Sequence, residues 1–332
     1  MFDVGLALIR PRNMRALFRI TIILCLFPLV GIPVPAQSET DKAARAKEII
    51  LQARTALGGE DVFNQVQSLS ASGRLRRFTK YVRVSSPEKV EEKDTVLKSK
   101  VEFDFLFPEK FKKREKGSDV AGWSYDRHFI VNGNEAWVYP PLPAPSTRRN
   151  RMIVDVDEAE RSYQQQAAAV QADLTRVALS WLFKPLPSFP VNLSYEGIFN
   201  DGSINTHAIS IRGPEGFSAA LLLDQQTYRP VSLIYIANSL REEIVVSASG
   251  FSRRWIAQTY ARARREAAMR AAPPRLVQVK IAFSDYRSVQ GLLLPHQMTT
   301  LHDNKPVSEL VISEFSLNDA INPKKFQSKD RR

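Results

Sequence analysis

Apolar residues recur along this chain with two periods, and the two periods mark two kinds of element. Between residues 40 and 57, Ala46, Ile49, Ile50, Ala53 and Leu57 fall on one face of a helix. Thr40 or Asp41 stands in capping position and Gly58-Gly59 closes the helix. A second helix is predicted over Glu158 to Phe183, with Ala168, Leu174, Val177, Ala178, Trp181 and Leu182 on its apolar face. Pro185, Pro187 and Pro190 end it. Elsewhere the period is two, as in strands with one dry and one wet face. Strands are predicted at Ser70 to Val84, Val101 to Phe107, Phe111 to Glu115, and either side of Asn132-Gly133. More follow at Leu193 to Ile198, Thr206 to Arg212, Ala219 to Leu223 and Val231 to Ala237. The last fifty residues read as three strands joined at Val289-Gln-Gly291 and at Asp303-Asn-Lys-Pro306, with Leu310, Ile312, Glu314, Phe315 and Leu317 alternating along the last.

Two segments depart from this pattern. Arg10, Arg12, Arg15 and Arg19 precede an apolar run from Ile20 to Val34, and Val34-Pro-Ala36 offers small residues for cleavage. A basic start, a short apolar run and a small-residue exit are the signature of a secretory signal peptide over residues 1–36. The run is short for a bilayer span, and an uncleaved anchor is the alternative. The second is a helix-forming, arginine-rich stretch at 253–275 that interrupts the strand pattern and reads as an insertion. It carries Arg253, Arg254, Trp255, Arg262, Arg264 and Arg265. Residues 37–327 are expected to form one domain, with 328–332 a polar tail.

Composition narrows the function. Cys25, the sole cysteine, lies in the leader, so disulfides, thiol catalysis and thiolate metal sites are excluded from the rest. Leu24 before it does not suit lipidation. The formal net charge is +12; residues 1–36 hold four arginines and one aspartate, which leaves +9 for the remainder. That surplus favours an anionic membrane surface or an acidic partner, and export disfavours nucleic acid. No Walker loop, GxGxxG, HExxH or GxSxG occurs; Gly122-Trp-Ser-Tyr-Asp126 lacks the second glycine. His128, His207, His296 and His302 have no ligand spacing and read as surface or loop residues, so no metal and no cofactor is expected. Glu88, Glu91, Glu92 and Asp94 sit among lysines and read as a solvated loop. No catalytic set emerges, and a hydrolase with an unrecognised site is the remaining enzymatic alternative.

What does emerge is paired apolar positions on strands. Phe103, Phe105 and Phe107 share one parity, as do Trp137 and Tyr139, Leu221 and Leu223, and Leu233 and Tyr235. An ordinary core explains them. So does a sheet whose inner face holds an acyl chain, because an apolar tail needs area without directional bonds.

Several segments together resemble a known family. They are Ala56-Leu-Gly-Gly59, Val66-Gln-Ser-Leu69-Ser-Ala-Ser-Gly73, Val131-Asn-Gly-Asn-Glu-Ala-Trp137, Leu223-Asp224 with Pro230-Val231, and Tyr286 with Gly291-Leu-Leu-Leu-Pro295. The ending Glu314-Phe-Ser-Leu-Asn318, then Ile321-Asn-Pro-Lys-Lys-Phe326, belongs with them. Over roughly residues 41 to 327 the chain resembles bacterial outer-membrane lipoprotein-sorting proteins, the LolA and LolB carriers. The resemblance implies an α+β fold: a curved antiparallel sheet, an open and incomplete barrel, covered by helices around an apolar cavity. It implies a monomeric, non-enzymatic periplasmic carrier of a lipid or lipidated protein. The motifs are structural, and no single functional residue carries over. The competing expectation is an envelope assembly factor that holds a protein or an anionic membrane through the basic helix.

Overall fold

The computed structural model describes residues 38–86, 89–119, 124–139, 156–202, 204–238 and 276–327. The expected leader at 1–36 and the arginine-rich stretch at 253–275, with Arg253, Arg254, Trp255, Arg262, Arg264 and Arg265, lie outside the described residues.

The first described elements are α1 (Glu39–Leu57) and α2 (Glu60–Gln65). Ser38, not Thr40 or Asp41, caps α1: its hydroxyl accepts from the Asp41 amide at 3.1 Å, while Asp41 accepts from the Ser38 amide at 3.3 Å. This reciprocal box satisfies two otherwise orphaned donors. Ala46, Ile49, Ala53 and Leu57 are buried, as the stripe predicts. Gly58 ends the helix at φ 146°, and a β-carbon there would lie 2.4 Å from the Gly291 carbonyl oxygen. Only glycine fits, so this glycine also docks α1 against a turn far away in sequence.

The described strands, twelve of them, form one antiparallel sheet. They are β1 (Ser68–Ser86), β2 (Lys89–Leu106), β3 (Lys110–Ser118), β4 (Ser124–Asn132), β5 (Glu135–Tyr139), β6 (Asn192–Asp201), β7 (Ile204–Arg212), β8 (Ser218–Asp224), β9 (Pro230–Asn238), β10 (Leu276–Val289), β11 (Leu292–His302) and β12 (Lys305–Leu317). The spatial order is β5-β4-β3-β2-β1-β12-β11-β10-β9-β8-β7-β6. The chain therefore enters the sheet at its middle, meanders out to β5, crosses through α3 (Val156–Leu182) to the far edge at β6, and meanders back until β12 pairs with β1. The two ends of the order do not pair, so the sheet stays open. It is also curved: α3 touches β3, β4 and β5 and also β9, which stand far apart in the order, and α1 touches both β6 and β11. The α+β class and the open helix-covered sheet are as expected.

Turn chemistry fixes the register. Val289 pairs with Leu292 and His302 with Lys305. Gln290 and Gly291, and Asp303 and Asn304, all take positive φ, as the hairpin turns that match strand twist require. Asn132 pairs with Glu135, so the β4–β5 hairpin turns on Gly133-Asn134, one residue later than Asn132-Gly133 suggests. The acidic stretch Glu91 to Asp94 is strand and not loop: Glu91 stands opposite Arg83 and Asp94 opposite Lys80.

The main apolar core lies on the concave face, gathering α1, α3 and both halves of the sheet. A small second cluster, Ile130, Trp137, Ile321 and Phe326, lies apart from it.

Candidate ligand-binding face

The centre of the concave face is Trp181, at the end of α3. Its ring meets Phe103 and Phe315 edge-on, each at 5.2 Å, and Phe105 at 5.9 Å. Its indole N–H donates to the Met298 sulfur at 3.3 Å. Phe103, Phe105 and Phe107 form a stacked ladder along β2, with centroids 6.2 and 6.1 Å apart, and Phe111 caps the last two edge-on. Across the sheet, Leu221, Leu223 and Leu233 are buried in the same core. Tyr235 packs on it with the Arg176 guanidinium 3.9 Å above its ring. Burial and the Asp173 charge hold the Tyr235 phenol up at about 12, against the Arg176 charge.

Between α1, α3 and β6 to β8 a cavity of about 60 Å³ persists, lined by Ile50, Leu179, Phe183, Leu193, Ile209 and Leu221 among others. Pockets for small organic ligands run to about 300–1,000 Å³. This space admits a few methylenes at most, so a longer chain needs the helices to move. Among the described residues a small set of polar bonds pins them. Arg54 of α1 donates to Glu60 of α2 at 2.8 Å and to the Phe183 carbonyl, just past α3, at 3.0 Å. Lys184 donates to the Val66 carbonyl at 2.8 Å.

Along the strands the concave face changes character in successive rows. Leu69, Phe105, Phe111, Val131 and Ala136 form a wholly apolar row. The next runs Ala71, Phe103, Lys113, Phe129, Val138, which places Lys113 between two phenylalanines, its Nζ 5.2 Å from the Phe129 ring centroid. Beyond it Glu115 faces Arg127 in register. Glu115 is 3 % exposed and fully engaged. Arg77 grips it with both terminal nitrogens, the Tyr125 hydroxyl donates to it at 2.7 Å and Ser99 at 3.2 Å, while Lys113 stands 3.7 Å away. Burial opposes ionisation of Glu115, but the Arg77 hydrogen bonds, the Lys113 and Arg77 charges and Tyr125 outweigh it and hold the carboxyl down at about 2. Burial pushes the Lys113 ammonium below its ordinary range, with Glu115 acting against that and Arg77 with it.

At the opposite side His207 is buried, not at the surface. Its Nδ1 lies 3.2 Å from the Tyr195 hydroxyl, its ring stacks on Tyr228 at 5.4 Å, and its Nε2 has no partner. Burial, then the Arg45 charge, lowers its affinity for a proton, with Asp224 opposing. His296 is buried too, its Nδ1 3.1 Å from the Leu294 carbonyl and its ring against Phe315 at 5.0 Å. Among the described residues no three His, Cys, Asp or Glu side chains gather as metal ligands.

The structure thus brings Phe103, Phe105, Phe107, Leu221, Leu223 and Tyr235 to one face. Trp137 and Tyr139 do not join them. In β5 it is Ala136 and Val138 that enter the main core, and period two turns Trp137 outward onto Ile130, Ile321 and Phe326. The charged cluster went unread because its members come from four strands. Only the alternation Phe111, Lys113, Glu115, which continues an apolar parity with charges, hinted at it.

No family model matches the chain, and no curated protein matches it. Solved structures do. A LolA superfamily protein from Nitrosomonas europaea is 12 % identical over 85 % of this chain and 97 % of its own, with a TM-score of 0.43. A DUF1329 family protein from Desulfovibrio piger is 11 % identical over 85 % and 97 %, with a TM-score of 0.34. An uncharacterized conserved protein from Thermus thermophilus is 9 % identical over 86 % and 96 %, with a TM-score of 0.26.

Proposed function

We propose that the protein is a non-enzymatic carrier, exported to the periplasm by a leader cleaved near Ala36, that shelters an acyl chain of a lipid or lipidated protein on the concave face of its sheet. The observation that carries this reading is how the face is covered. A continuous apolar surface spanning both halves of the sheet is closed by two amphipathic helices, pinned by Arg54 and Lys184, with a residual cavity between them.

The energies are of comparable size. Burying Ile49 and Leu57 contributes about 3–6 kcal/mol, at roughly 1.5–3 kcal/mol per large aliphatic side chain. Each methylene drawn out of water contributes about 0.8 kcal/mol, so a chain of ten offers about 8 kcal/mol. An acyl chain of that length therefore offers an energy of the same order as the two largest fully buried side chains of α1, and exchange of one for the other is a feasible uptake step.

Native mass spectrometry of the mature protein from its own periplasm, with lipid extraction alongside, tests this. A bound acyl species near one per chain is expected, together with loss of that species in Phe103→Asp. A clean apo mass that takes up no added lipid would refute the reading.

A further inference from the structure

Resting on the carrier reading, the row-by-row change along the concave face points to more than a chain. Its apolar rows end at a row holding Lys113, and the next rows hold Glu115, Arg127, Ser99 and Tyr125, with Arg77 reaching in. An amphiphile has the same profile, tail then head. Among the described residues the charges there do not balance. Arg77, Lys113 and Arg127 come from the sheet, against Glu115. α3 adds Arg176 and Asp173, which pair with each other at 2.8 Å. Glu115 is spent on Arg77, Tyr125 and Ser99. Among the described residues Lys113 is left with one long contact at 3.7 Å, flanked by Phe103 and Phe129. On the other face Arg114 has a contrasting environment, with two bonds to Asp126 at 2.9 and 2.6 Å and a third to Glu102. A partly buried ammonium with unused donors beside aromatic rings is an incomplete anion site.

We propose that the carried molecule is a single-chain or acyl amphiphile with an anionic head, carboxylate or phosphate, and that Lys113 receives the head, supported by Arg127, while the tail runs over Phe103 and Phe105 towards the face that α1 covers. Glu115 acts as a positioning residue. It occupies Arg77 and leaves Lys113 as the donor facing the tail. Tyr125, whose hydroxyl is committed to Glu115, borders the same row.

Titration calorimetry below the micellar concentration tests this with dodecanoate, dodecyl phosphate and dodecanol. The full-length mature protein is expected to bind both anions about tenfold tighter than the alcohol or better, the fold-change of one charge-assisted hydrogen bond. Lys113→Met is expected to bring the three within about threefold of one another, and Arg127→Gln is expected to narrow the gap in part. Equal binding of anion and alcohol by the unaltered protein overturns the head-group site and leaves the carrier reading standing; that comparison needs no variant. Failure of all three to bind overturns both. Inorganic phosphate competing as well as dodecyl phosphate would show a free-anion site and overturn the amphiphile.

Discussion

Glu115→Gln removes a buried carboxylate that three donors and a lysine share, and its effect can be worked from both ends of the charge balance. In the folded protein the carboxyl is held at about 2, against an ordinary 4.5. At about 1.4 kcal/mol per pH unit, a fall of that size corresponds to roughly 3 kcal/mol of stability. The sign follows from which state binds protons. Between about pH 4.5 and 2 the unfolded chain takes up a proton that folded Glu115 refuses. The contribution is therefore complete near neutrality and is lost as the pH falls through that window. Removing one partner of a buried pair costs about 3–5 kcal/mol by the general rule. Arg77 is partly open to water, so the lower end applies. Urea unfolding at several pH values is the assay. The variant should be about 3 kcal/mol less stable than the parent near pH 7, and the gap should close by about pH 2. A gap under about 1 kcal/mol at neutrality, or one that persists unchanged in acid, would refute the assigned geometry.

Other perturbations follow the same logic. Gly73→Ala places a β-carbon 2.3 Å from the Val311 carbonyl oxygen, so it should cost at least about 1–3 kcal/mol in thermal or urea unfolding. Trp181→Ala empties the centre of the concave face and should cost about 3–5 kcal/mol in the same assay; a loss under about 1 kcal/mol would mean α3 does not seat there. Arg54→Met should speed amide exchange in α1 and α2 while leaving exchange in β1 and β12 unchanged. His207 is held neutral by burial and by Arg45, so the unfolded chain binds its proton first, and stability should decline as the pH falls below about 6.5. His207→Gln should flatten that part of the profile.

Much of this fold was legible because the local signals agree with the global arrangement. The α1 stripe, the α3 face, the two positive-φ turns at Gln290-Gly291 and Asp303-Asn304, and the parity of Phe103, Phe105 and Phe107 each state their role within a few residues. What was hidden depends on partners distant in sequence. The simple alternation read along β12 misses a bulge. Ser72 pairs with Glu314 and Gly73 with Ile312, so Ser313 is the extra residue and Ile312 and Phe315 both reach the core. A change of apolar parity between Ile312 and Phe315 was the available signal. Trp137 has the look of a cavity residue, but its face is decided by Ala136 and Val138, whose small size gives no warning. The buried polarity at Glu115 showed only as a charge continuing an apolar parity, and that at His207 not at all, since each depends on residues from other strands.

In the carrier reading α1 leaves the concave face when an acyl chain enters it. Ile50 of α1 and Leu193 of β6 line the same cavity, and Cys25, within the proposed leader, is the sole cysteine of the chain. The measurement is dodecanoate uptake by Ile50→Cys/Leu193→Cys before and after closure with a short bifunctional maleimide. If α1 moves aside in this way, the open variant takes up dodecanoate, cross-linking abolishes uptake, and a control whose linker is cleaved recovers it. Undiminished uptake with α1 fastened to β6 would contradict it.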